Sequence, residues 1–137
     1  MARGAGRTQA CGEPEAKAKL VRAHTFLETA DLLDGEPDPD FGSVRAALAV
    51  LAGIAASDAA CCKALGRRSR SNDHHDAESL LQEITGGGAE AANSLRRLIN
   101  EKDDAHYGFF NVSQADLKST MRQAQALVDF AERVLRR

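Results

Sequence analysis

A chain of 137 residues, 43% hydrophobic and 28% charged, has room for one self-sufficient core and lacks the bias of a disordered or fibrous protein. A net charge of −2 provides no global field for nucleic acid, so any anion binding must come from a local patch. No apolar run approaches the ~20 residues of a membrane span and no secretory signal is visible, so a cytoplasmic protein is expected.

Residues 1–12 are basic and Gly-rich and predict a flexible arm, leaving 13–137 as the folded domain. A first helix is expected from about Glu13 to Asp34, with Pro14 tolerated in its first turn and Leu20, Ala23, Phe26, Leu27 and Ala30 facing inward. Two prolines and two glycines interrupt residues 35–42, so Ser43 is expected to cap a second helix that ends at Gly66. That helix carries a heptad stripe of Val44, Leu48, Leu51, Ala55, Asp58, Cys62 and Leu65, read as its buried face. Three cysteines are an odd number, and Cys61 and Cys62 are adjacent, so no disulfide framework is expected.

A third, shorter helix begins after a cap at Asn72 or Asp73 and stops near Gly86-Gly-Gly88, which follows a helix, lacks a P-loop Lys-Ser/Thr and reads as a linker. The fourth runs from about Ala89 to Tyr107 with Ala92, Leu95, Leu98, Ile99 and Ala105 apolar. Ser113, with Asp116 three residues on, caps a fifth whose stripe is Leu117, Met121, Ala124, Val128, Ala131 and Leu135. With few β-branched residues and no period-two run, the expectation is an all-α, up-and-down bundle of five helices, four long and one short.

Two regions carry a resemblance. Ala52-Gly-Ile-Ala-Ala-Ser-Asp-Ala-Ala-Cys-Cys-Lys-Ala-Leu65, with Asp73-His-His-Asp-Ala-Glu-Ser-Leu-Leu81 after it, is similar to the small-residue central helix and short histidine-led helix of HEPN domains. Lys102-Asp-Asp-Ala-His-Tyr-Gly108 resembles that family's polar histidine motif. The resemblance spans roughly residues 15–136 and implies a homodimer that binds RNA or a nucleotide, or cleaves RNA without a metal. It also implies a nucleotidyltransferase or antitoxin partner. The family's arginine should lie five to seven residues before the histidine, where this chain has Glu101, Asn100 and Ile99. Ribonuclease activity is therefore expected to be weak or absent, and binding is the expected activity.

The candidate catalytic group is His106 as base, with Lys102 one helical turn away as the cation for a developing phosphorane charge. Asp58 lies on the apolar stripe and needs a partner there, either His106, which it would orient, or Arg96 or a backbone donor in a purely structural role. Arg67, Arg68 and Arg70, with His74 and His75 at a helix start, form the candidate phosphate site; a solvated polar turn is the plainer reading. Adjacent Cys61 and Cys62 point about 100° apart on a helix, so no metal site is expected with those histidines, and no cofactor is implied. The alternatives to an RNA- or nucleotide-binding module of a toxin–antitoxin or defence system are an endoribonuclease toxin using His106 and a dimeric protein-interaction adaptor. The dimer is expected to bury parts of the second and fourth helices, with Ala46, Ala49, Gly53, Ala56 and Ala60 of the second letting another helix pack closely.

Overall fold

The computed structural model describes residues 7–70, 74–107 and 112–137, with side chains described for all of these except 101–107. Five helices dominate: α1 (Glu13–Leu32), α2 (Pro39–Leu65), α3 (His74–Gln82), α4 (Gly88–Tyr107) and α5 (Gln114–Leu135). Two three-residue strands, β1 (Thr8–Ala10) and β2 (Arg67–Ser69), pair antiparallel. The all-α bundle is as expected. The strands are a correction, and they take residues 8–10 out of the expected flexible arm.

Helix α2 is the axis. Helix α1 packs antiparallel to it, since Lys63 bonds Glu13 at one end and Arg45 Nε donates to the Ala30 carbonyl (2.9 Å) at the other. Helix α5 runs parallel to α2, with Leu117 beside Gly42 and Leu127 beside Gly53, while α4 returns antiparallel to α5, bringing Gly87 against Phe130. Helix α2 contains an 18-residue stretch of mean hydropathy 1.6, long and apolar enough to cross a membrane, but two-thirds of that stretch is buried within the bundle.

Two expectations about α2 are overturned. It begins at Pro39 rather than after Ser43, because the Asp38 carboxylate accepts from the Asp40 amide as N-cap and Pro39 occupies a position whose N–H would be an orphan. Its buried face is also not the heptad of large side chains. Val44 and Leu51 are 48% and 45% exposed, whereas Ala46, Ala49, Ala52, Ala56, Ala59 and Ala60 are buried. Alanine lets α1, α4 and α5 approach one central helix from three sides, and a pattern search weighted toward bulky residues picks the side left over. The alanines expected to seat a second copy are thus internal: a Cβ at Gly53 would meet Leu98 of α4 and Leu127 of α5.

The remaining helices follow their sequence patterns. Leu95, Leu98 and Ile99 of α4 and Leu117, Ala124, Val128 and Ala131 of α5 are buried, with Met121 and Leu135 half-buried. Ser113 Oγ accepts from the Asp116 amide (3.1 Å), as its spacing predicts. The Asn72 or Asp73 cap lies outside the described residues.

Candidate functional site

The end of α2 is built by Gly66, whose left-handed conformation (φ 73°) lets its N–H close on the Cys62 carbonyl and turns the chain straight into β2. Cys11 donates its N–H to the Gly66 carbonyl and forms a disulfide with Cys62, fastening β1 to the helix (Cα–Cα 5.2 Å). This corrects the expectation that the cysteines stay unpaired. Counting treated Cys61 and Cys62 as equivalent, but the helix aims them apart: Cys62 meets Cys11, while Cys61 is a buried thiol whose pKa desolvation pushes up to about 12.

The ribbon's register sets Thr8 opposite Ser69, Gln9 opposite Arg68 and Ala10 opposite Arg67. The Arg70 amide donates to the Arg7 carbonyl (2.9 Å), extending the ladder by one pair. Strand side chains alternate, so Arg67 and Ser69 share one face while Arg7, Gln9, Arg68 and Arg70 share the other. Arg68 Nη2 donates to Gln9 Oε1 (3.1 Å) across the strands.

The basic cluster read from the sequence is therefore divided. Arg67 bonds both carboxylate oxygens of Glu83 (2.9 and 3.2 Å), and Lys63 bonds Glu13 at 2.6 Å, holding that carboxyl below its ordinary value. His75 Nδ1 lies 2.9 Å from Glu78 Oε2 one turn along α3. Arg68 and Arg70 lie on the other face and are joined by Arg7; Arg7 and Arg70 are exposed, while Arg68 is half-buried and also donates to the Ser69 carbonyl. Neither Arg7 nor Arg70 is paired with a carboxylate among the described residues. Two guanidinium groups directly opposite each other destabilise a ribbon unless an anion lies between them.

Asp58 of α2 lies within electrostatic reach of Arg68. Its partner is Lys19 of α1, with Nζ 3.6 Å from Oδ2, and the charge of Arg68 also acts on it. Desolvation outweighs both cations and raises the Asp58 pKa. The side chains of Lys102 and His106, and Phe109 and Phe110 after them, lie outside the described residues. Among the described residues, no three metal-ligating side chains converge. Comparison with protein-family models, curated proteins and solved structures gives no match.

Proposed function

We propose that this protein binds RNA, taking the phosphate backbone of a single strand on the face of the ribbon that carries Arg7, Arg68 and Arg70. The observation that supports the reading is the placement of Arg7, Arg68 and Arg70 on one face of β1–β2, with Arg7 and Arg70 directly opposed. Guanidinium groups present planar, bidentate donors suited to phosphate oxygens. Residues two apart on a strand are about 7 Å apart, so the face offers a short row of cations rather than a point. Contacts of this type carry no sequence information, so the binding is general for strand and composition. The HEPN-like resemblance supports RNA or a nucleotide over other polyanions, and His106 with Lys102 remains the proposed place for any cleavage.

The test is binding of a labelled single-stranded RNA across a salt series. Three phosphates neutralised give a salt slope near −2 on logarithmic axes, taking about −0.7 per phosphate for single strands. Replacing Arg7, Arg68 and Arg70 with glutamine should weaken binding and remove most of that slope, while Arg67→Gln, whose arginine already bonds Glu83, should change little. Affinity that ignores both the triple change and salt would overturn the proposal.

A further inference from the structure

The ribbon that carries the arginine face is held by little besides its disulfide. Strands β1 and β2 have three residues each, and an isolated two-stranded ribbon is marginal in water. Nothing in residues 7–11 is buried: Thr8 and Cys11 are half-buried, and Arg7, Gln9 and Ala10 are exposed. Besides the ladder, the ties are the Cys11 amide on the Gly66 carbonyl (3.0 Å), the Arg70 amide on the Arg7 carbonyl, and Arg68 on Gln9. Against these ties stand Arg7 and Arg70, whose like charges push the strands apart.

Helix α1, which follows β1, is anchored independently. Lys63 bonds Glu13 at its first turn, and Ala16, Ala23 and Leu27 are buried in the bundle. Opening the disulfide therefore frees the segment before Glu13 and leaves the helices docked. The bond is also the sole redox couple among the described residues. Cys61 is buried with its thiol pushed up to about 12, so it supplies no thiolate to compete for Cys11.

We infer that the Cys11–Cys62 disulfide is a redox switch for the arginine face. Closed, it holds Arg7 beside Arg70 and the face takes a phosphate backbone; opened by a dithiol, it releases β1 and the face loses Arg7. The inference rests on the RNA reading above. Cys62 is 2% exposed and Cys11 half-buried, so the reductant's thiolate attacks Cys11 Sγ and expels Cys62 as a thiolate, which takes up a proton. The reductant's second thiol, deprotonated, then displaces the Cys11 sulfur and closes the reductant's own disulfide. Two electrons and two protons pass to the protein, leaving two cysteine thiols, and exchange with a disulfide of the same class runs the step backwards. Because RNA prefers the closed ribbon, bound RNA must oppose reduction by the factor that reduction weakens RNA binding.

Binding of a labelled oligouridine to the oxidised chain and to the chain reduced with dithiothreitol tests this. Reduction should weaken binding about tenfold, the worth of one charge-assisted contact, and flatten the salt slope from near −2 to about −1.4. The Cys11 and Arg70 amides should exchange faster in the reduced chain, while the helical circular dichroism stays unchanged. Arg7→Gln should bind weakly in both states and show no redox effect. Saturating oligouridine should raise the dithiothreitol concentration needed for half-reduction about tenfold. Equal affinity in both states, a redox effect that survives Arg7→Gln, or loss of the helical spectrum on reduction would each overturn the switch and leave the RNA reading standing. No binding by the oxidised chain, with both amides still released by reduction, would remove the RNA reading and the inference with it.

Discussion

Lys19 and Asp58 meet across the α1–α2 interface with Nζ 3.6 Å from Oδ2, and the aspartate is the more enclosed of the two, its side chain 14% exposed against 37%. Burial holds the Asp58 carboxyl above the ordinary 3.8 despite Lys19 and Arg68. In the window between 3.8 and the raised value, the native chain binds more protons than the unfolded one, so the Asp58 contribution to stability falls as pH rises. Asp58→Asn is neutral at every pH and should be more stable than the parent at pH 7. The difference should shrink toward zero as pH drops through that window. Urea melts of both chains between pH 3 and 7 would check this; a variant less stable at pH 7 would show that the ion pair outweighs desolvation.

Gly53 marks the closest approach in the core. Its missing Cβ is the space occupied by the Leu98 side chain, with Leu127 Cδ1 at 3.1 Å from where a Cβ would stand. Gly53→Ala should gain about 1 kcal/mol of helix propensity and lose more to overpacking, which commonly costs about 1–3 kcal/mol. A lowered denaturation midpoint is the expected result.

The disulfide spans a sequence separation of 51 residues. Loop-closure entropy for a ring of that size is worth about 4 kcal/mol, so Cys11→Ser should lower stability by up to that amount. Thiol titration of the native oxidised protein should find no reactive group at pH 8, because Cys61 is buried and its pKa is near 12. One thiol per chain should appear on unfolding.

Arg45 closes the C-terminal end of α1, donating from Nε to the Ala30 carbonyl and from Nη1 to Asp34 Oδ1 (3.2 Å). Arg45→Ala leaves the Ala30 carbonyl with the Leu33 N–H alone and removes the bond to Asp34, which should cost about 0.5–1.5 kcal/mol. Faster amide exchange in residues 30–34 would localise the loss.

Helices announced themselves in this sequence through caps and apolar spacing, as Ser113 and the Leu95–Leu98 pair show. What could not be read was which side of α2 lies inside. Alanine is equally at home on a buried or an exposed helix face, so its pattern carries no direction until the neighbouring helices are placed. The ribbon escaped for a different reason. Its two strands have three residues each and depend on pairing between positions some sixty residues apart, with no local signature at either. Asp58 was correctly expected to need a partner, but Lys19 was not among the candidates, because nothing in the α2 pattern indicates which flank of α1 it will meet.

The disulfide also imposes an order of events on synthesis. At about 5–20 residues per second, roughly 3–12 seconds separate the emergence of Thr8 from that of its strand partner Ser69. For that interval the Cys11 thiol has no neighbour, and when partners arrive they come as two consecutive thiols. An unfolded α2 would offer Cys61 and Cys62 alike. Once the helix has formed and docked, both cysteines are buried but only Cys62 faces Cys11, so the choice is made. Oxidation before α2 docks should leave a population linked through Cys61, which must exchange with Cys62 before the ribbon can close.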